Sequence, residues 1–199
     1  MNERPTNIML SKSTVNENSP QGTLIANITV SDPDNLGPNG TWQTHKCILL
    51  DSAQDRFKIS NFNRLLVYRE EFNFETEINH DIVIQCTDSA ARPLTVRKSF
   101  RINVLDINER PMQITLSNNV VPENLGPSYV GELASIDPDN ERIQRQTFTY
   151  SLVDGSEDNR FFIHGNSLRT NRSLDYENRS SWKLLIKTRD SRGIIILIA

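Results

Sequence analysis

The chain has 199 residues, enough for one large domain or two of about 100. With 24% charged and 36% apolar residues and no long biased tract, it fits a folded chain better than a disordered one. The net charge of −3 and scattered arginines, such as Arg142 and Arg145, argue against nucleic acid, which needs clustered Lys and Arg.

The opening Met1-Asn2-Glu3-Arg4-Pro5 is polar and lacks the apolar core of a secretory signal. The longest apolar run, Ile194 to Ala199, falls far short of the roughly 20 residues that cross a bilayer.

In chain order, Ile28, Val30 and Asp32 alternate with Asn27, Thr29 and Ser31, the period of a half-buried strand. Ile82, Ile84 and Cys86 predict a second strand, and Phe100, Ile102 and Val104 a third. Turn clusters such as Asp34-Asn35-Leu36-Gly37-Pro38-Asn39-Gly40 separate the strands, and no stretch holds a helical period. The pattern predicts an all-β sandwich.

From residue 108 the sequence repeats itself, the observation that decides the domain count. Asn2-Glu3-Arg4-Pro5 returns as Asn108-Glu109-Arg110-Pro111, and Val15-Asn16-Glu17-Asn18 as Val121-Pro122-Glu123-Asn124. Asp32-Pro33-Asp34-Asn35 returns as Asp137-Pro138-Asp139-Asn140. Phe72-Asn73-Phe74-Glu75 aligns with Leu174-Asp175-Tyr176-Glu177, and Thr87-Asp88-Ser89 with Arg189-Asp190-Ser191. Two domains are predicted, residues 1–107 and 108–199, joined by a linker at about 106–111. The second has only nine residues after Asp190, so Ile194 to Ile198 is expected to form a shortened last strand.

The acidic residues concentrate at predicted domain ends. Glu17, Glu75 and Asp106 are expected at the C-terminal pole of the first repeat, and Asp137, Asp139 and Asp190 at the N-terminal pole of the second. With Glu109, seven carboxylates would meet at one junction. Two unit charges 4 Å apart repel by about 4 kcal/mol at an effective dielectric of 20, so such a set needs cations. Carboxylates, amides and carbonyls favour calcium over zinc or copper, and magnesium prefers fewer protein ligands. An EF-hand is excluded, because the loop starting at Asp32 has Leu36 at its fifth position and Gln43 at its twelfth.

This ordered set, Glu, Asp-x-Asp, Leu-Asp-x-Glu, Thr-x-Asp and Asp-x-Asn-Glu-x-Pro, resembles the cadherin repeat over essentially the whole chain. The resemblance implies two tandem seven-stranded Greek-key sandwiches, of immunoglobulin-like architecture, with calcium between them. It assigns Glu17, Glu75, Asp106, Ile107 and Glu109 to the inter-repeat site, with Asn108, Asp137, Asp139 and Asp190 completing it. Ile107 and Arg110 would offer backbone carbonyls only. Asp32, Asp34 and Asp88 form a half-site for a preceding linker, of which Asn2 and Glu3 look like the remnant. Glu123, Asp175 and Glu177 form a half-site for a following one. Asn73 departs from the pattern by supplying an amide where the family commonly has a carboxylate.

The resemblance further implies a calcium-dependent extracellular adhesion module, an excerpt from the ectodomain of a membrane-anchored protein. Other cadherin-like ectodomains or extracellular proteins would be its partners. The alternative is a calcium-stiffened spacer of a matrix or receptor ectodomain, without adhesion of its own. Cys47 and Cys86 fall on the inward phase of strands C and F of the implied sandwich, where a buried reduced pair is the alternative to the favoured disulfide, worth about 2–4 kcal/mol. Asn-x-Ser/Thr sequons at Asn27, Asn39, Asn171 and Asn178 are candidate glycosylation sites. Trp42 and Trp182 do not lie where a strand-exchange tryptophan would, so packing roles are expected. His45, His80 and His164 stand singly with no nucleophile arrangement beside them, and no catalysis is expected.

Overall fold

A computed structural model describes residues 1–35, 43–69, 72–140, 146–153 and 159–198. It divides into two compact units, Met1–Ile107 and Asn108–Ala199. Among the described residues there is no α-helix, and no helix long and apolar enough to cross a membrane.

Unit 1 is a sandwich of two four-stranded sheets. Its strands are β1 (Asn7–Leu10), β2 (Thr14–Asn16), β3 (Leu24–Ser31), β4 (His45–Asp51), β5 (Phe57–Ile59), β6 (Arg64–Val67), β7 (Asn79–Asp88) and β8 (Thr95–Leu105). The sheet orders are β1-β3-β6-β5 and β2-β8-β7-β4. The two short segments β1 and β2 act as one first strand divided between both sheets, which reconciles eight segments with the expected seven strands. All pairings are antiparallel except β2 with β8.

The alternation seen in the sequence becomes the core. Ile82, Ile84 and Cys86 on β7 and Ile102 and Val104 on β8 point inward, against Ile8, Ile28 and Phe57. Phe57 and Phe72 pack with tilted rings 5.3 Å apart, and the His80 ring packs edge-on to both, at 6.1 and 5.4 Å. Cys47 on β4 sits opposite Cys86 on β7, and the two form a disulfide.

Unit 2 repeats the plan with β9 (Gln113–Leu116), β10 (Tyr129–Ile136), β11 (Phe148–Leu152), β12 (Phe161–His164), β13 (Ser167–Thr170), β14 (Ile186–Asp190) and β15 (Ile195–Ile198). Its sheets run β12-β13-β10-β9 and β11-β14-β15. The last strand has four residues where β8 has eleven. At the register of the disulfide stand Tyr150 and Thr188. Both hydroxyls lie 3.1 Å from Ser135 Oγ on β10, so a polar trio joins the two sheets at the register where unit 1 has a disulfide within one sheet.

The second strand of each unit carries a bulge, after Leu24 in β3 and after Tyr129 in β10. Ala26 follows it in unit 1 and Gly131 in unit 2. A Cβ at Gly131 would meet the Asn118 carbonyl oxygen at 2.5 Å, so only glycine fits that approach.

Trp182 packs edge-on to Phe161 at 5.9 Å, in the small core around Val130, Leu168 and Leu174. Trp42 and Asn39 lie outside the described residues. Asn27, Asn171 and Asn178 are exposed.

Candidate metal centres

Each unit gathers acidic side chains at both of its poles, and the local chain explains how. At the N-terminal pole, β3 and β10 run into short 3-10 turns, Pro33–Asn35 and Pro138–Asn140. The proline after the first aspartate pre-sets φ for such a turn. Asp32 Oδ1 then accepts the Asp34 N–H at 3.0 Å, and Asp137 Oδ1 accepts the Asp139 N–H at 3.0 Å. The turn fixes both carboxylates of each Asp-x-Asp.

The linker sequence closes over this turn identically in both units. In unit 1 the Asn2 amide donates to Asp88 Oδ2 at 3.1 Å, and the Glu3 N–H to Asp34 Oδ2 at 2.9 Å. In unit 2 the Asn108 amide donates to Asp190 Oδ2 at 3.0 Å, and the Glu109 N–H to Asp139 Oδ2 at 3.0 Å. Asn2 and Asn108 therefore tie the linker to the aspartate that ends β7 or β14.

Sequence reasoning missed a brace. The Gln43 amide donates to Asn2 Oδ1 at 2.9 Å and Asp34 Oδ2 at 3.0 Å. The Gln146 amide donates to Asn108 Oδ1 at 2.8 Å and Asp139 Oδ2 at 2.6 Å. Both glutamine N–H groups donate at 2.7 Å to the asparagine that ends the turn, Asn35 or Asn140. The shared Gln-Thr dipeptide was the available signal, hidden by loops of different length.

The two poles differ in one respect. Asp32 Oδ2 lies 2.8 Å from His45 Nε2 at the start of β4. Phe148 occupies that register in unit 2, opposite Asp190 as His45 is opposite Asp88. Asp137 Oδ2 is thus buried with no hydrogen-bond partner, on a residue 3% exposed. Burial pushes the Asp137 carboxyl above the ordinary aspartate value, and the charges of Asp139, Asp190 and Glu109 add to this, against the bond from the Asp139 N–H. Burial also pushes Asp88 up, but hydrogen bonds from Asn2, Ala90 and Leu94 and the nearby His45 outweigh it, so its carboxyl is held low.

The C-terminal poles hold a second kind of cluster. In unit 1, Glu17, Glu75 and Asp106 each present a carboxylate oxygen within 4.8 Å of the others. Glu17 is buried and accepts the Phe74 N–H at 2.8 Å and the Ile107 N–H at 2.7 Å. In unit 2, Glu123, Asp175 and Glu177 come equally close, and Glu123 accepts the Tyr176 N–H at 2.9 Å.

The Asn73 departure has a local explanation. Asn73 Oδ1 accepts the Thr76 N–H at 2.7 Å, and Asp175 Oδ1 accepts the Asn178 N–H at 3.1 Å. The residue's side chain builds a turn in both units, a task an amide oxygen performs as well as a carboxylate.

The donor sets are all oxygen, and they include a buried aspartate oxygen that no protein group satisfies. Such sets suit a hard divalent cation. The residues present therefore fit calcium.

Comparison with known proteins agrees with this architecture. The family described as "Cadherin domain" matches residues 11–105 and 118–194. The chain is 30% identical over 185 residues to human (Homo sapiens) Protocadherin Fat 4, covering 92% of this chain but 4% of that protein. It is 30% identical over 190 residues to human Protocadherin beta-1, covering 89% of this chain and 22% of that protein. The fold is similar to human Protocadherin-24 EC1-2, with a TM-score of 0.64 at 18% identity over 100% of this chain and 94% of that one. It is equally similar to the Protocadherin Gamma B2 extracellular cadherin domains 3-6, with a TM-score of 0.64 at 20% identity, covering 99% of this chain and 50% of that one. The chain belongs to the cadherin-domain family, with one domain in each unit.

Proposed function

We propose that the chain is a calcium-binding extracellular adhesion module in which calcium stiffens the join between the two repeats. The observation that carries this reading is Asp137 Oδ2, a buried carboxylate oxygen without a protein partner beside Asp139 and Asp190. A group so placed is costly unless a cation supplies the missing interaction. Bound calcium would supply that charge and let the carboxylates stay ionised together.

Unit 1 would contribute Glu17, Glu75, Asp106 and the Ile107 backbone, and unit 2 Asn108, Glu109, Asp137, Asp139 and Asp190. Four covalently consecutive residues, Asp106 to Glu109, are divided between the two sets. Within each unit, Gln43 or Gln146 and the linker asparagine orient the acidic oxygens before any ion arrives. Asp32, Asp34 and Asp88, and Glu123, Asp175 and Glu177, would serve neighbouring repeats in the same way.

Partners of this module are other cadherin-like ectodomains or extracellular proteins, and its parent is a plasma-membrane protein. A protein of similar fold, protocadherin gammaB7, is described as forming a cis-dimer. The module performs no catalysis, since its acids form repeated polar ends rather than one unique pocket.

Calcium titration with calorimetry and small-angle scattering tests the reading. Extracellular modules bind calcium at about 10⁻⁴–10⁻³ M, so uptake, a higher melting temperature and a more rigid particle are expected in that range. Absence of all three overturns it. Bead aggregation with the ectodomain, with and without chelator, distinguishes an adhesive module from a spacer.

A further inference from the structure

We propose that Phe62 and Arg64 form a sugar seat: the first N-acetylglucosamine of a glycan carried by Asn27 lies on them, over the outer face of the β1-β3-β6-β5 sheet. The proposal rests on the extracellular reading above, because only a chain in the secretory route meets the glycan donor.

The sequon Asn27-Ile28-Thr29 lies inside β3, with Ile28 buried and Asn27 and Thr29 exposed on the outer face. Ser11 engages both backbone groups of Asn27: the Asn27 N–H donates to Ser11 Oγ at 2.9 Å, and its carbonyl accepts the Ser11 N–H at 3.0 Å. Its side-chain amide is left facing solvent, whereas the Asn171 amide donates to the Asn159 carbonyl. The donor is a lipid-pyrophosphate-linked oligosaccharide. Asn27 Nδ2 bonds to the sugar C1 as the C1–O bond to pyrophosphate breaks; the pyrophosphate leaves with that electron pair and the amide gives up one proton.

Arg64 stands directly opposite Asn27 in the β3–β6 register. Such pairs share one face of the sheet, with Cβ atoms about 4.5–5.5 Å apart. The Arg64 guanidinium lies 6.0 Å from the centre of the Phe62 ring. Phe62 is 82% exposed, yet its loop is fixed by the next residue. Asn63, at a φ of 51°, accepts the Ile28 N–H at 2.9 Å on its carbonyl. Its side chain donates to the His45 carbonyl at 2.6 Å and accepts the Cys47 N–H at 3.1 Å, both on β4. A ring held out by a fixed loop offers apolar area at little cost in conformational entropy. One exposed phenylalanine means little alone; its place beside Asn27 gives it an occupant. The C–H face of N-acetylglucosamine packs on the ring, and Arg64 donates to the sugar oxygens.

Unit 2 folds the same hairpin without these parts. Its Leu133 N–H donates to the Asn166 carbonyl at 2.8 Å, as Ile28 does to Asn63. Glu132 stands where unit 1 has Asn27, Ser167 is opposite it in place of Arg64, and Gly165 precedes Asn166 where Phe62 precedes Asn63. The fold therefore needs none of the three residues, and they occur together or not at all.

The test secretes the full chain from eukaryotic cells behind a cleavable leader, with Asn39→Gln, Asn171→Gln and Asn178→Gln so that Asn27 is the one sequon left. An endoglycosidase trims the glycan to a single N-acetylglucosamine, and mass spectrometry reads its attachment to Asn27. The acetyl methyl proton resonance should lie upfield of its position in Phe62→Ala, and Phe62→Trp should keep the shift. Hydrogen exchange of the Ile28 amide should slow by about fivefold with the sugar in place, and by much less in Phe62→Ala. An unmodified Asn27, or a methyl resonance and an Ile28 exchange rate that ignore Phe62→Ala, overturns the proposal. Because the leader supplies the secretory route, such a failure leaves the extracellular reading to be judged by calcium uptake.

Discussion

Glu17 and Ile107 lie 90 residues apart and are joined by a 2.7 Å hydrogen bond from the Ile107 N–H to the Glu17 carboxylate. The other Glu17 oxygen accepts the Phe74 N–H at 2.8 Å, so one buried side chain fixes the end of β8 and the turn before β7. Glu17→Ala strands two backbone donors. Unit 1 should lose about 2–3 kcal/mol in urea denaturation without calcium, since bonds to charged groups are worth about 1.5–3 kcal/mol and both bonds are partly buried. Calcium uptake should also fall.

Asp137→Asn should act with opposite signs in chelator and in calcium. The folded Asp137 carboxyl titrates above the ordinary value of 3.8, because of burial and its acidic neighbours. Its contribution to stability is therefore present below the unfolded value and lost as pH rises through the folded one. At neutral pH without calcium the ionised group is a cost, and the amide should raise the unit 2 melting temperature. In calcium the lost charge should weaken binding by about tenfold or more, as measured by calorimetry.

His80 should make unit 1 sensitive to mild acid. Burial lowers its pKa below the ordinary 6.5, with Glu77 opposing and Arg56 adding to the effect. Between the unfolded and folded values the unfolded chain binds a proton that the native chain refuses. Stability is therefore full above about 6.5 and declines as pH falls through that window. Urea midpoints at pH 7.5 and 5.5 should differ less in His80→Phe than in the parent chain.

Replacing Cys47 and Cys86 together by alanine should cost unit 1 about 2–4 kcal/mol, because the bridge closes a long loop with 39 residues of separation. Unit 2 should be unaffected, since Tyr150 and Thr188 stand at that register and are hydrogen-bonded to Ser135. Denaturation followed through Trp182 emission in a Trp42→Phe background reads the second unit.

The sequence carried the architecture in two redundant forms, period-2 alternation and internal repetition. Ile82, Ile84 and Cys86 announced a strand, and the matched Asp-x-Asp turns announced a duplicated plan. What it hid were contacts between residues whose spacing differs in the two halves. Gln43 follows Asn35 by eight positions while Gln146 follows Asn140 by six, so their shared bracing role is invisible until the loops close. The exchange of His45 for Phe148 reads as an unremarkable substitution. Only the register, with each residue opposite its β-strand aspartate, reveals that it leaves Asp137 Oδ2 unsatisfied.

The glycine after the β10 bulge carries a cost that its counterpart escapes. Ala26 tolerates its methyl group, whereas one at Gly131 would press on Asn118, whose amide donates to the carbonyls of Val120 and Val130. The halves have therefore drifted out of interchangeability: a hairpin transplanted from the first into the second would bring an alanine into a place with no room. A single missense change in that codon would unfasten the clip between the strand and its neighbouring loop, although the same residue is harmless about a hundred positions earlier.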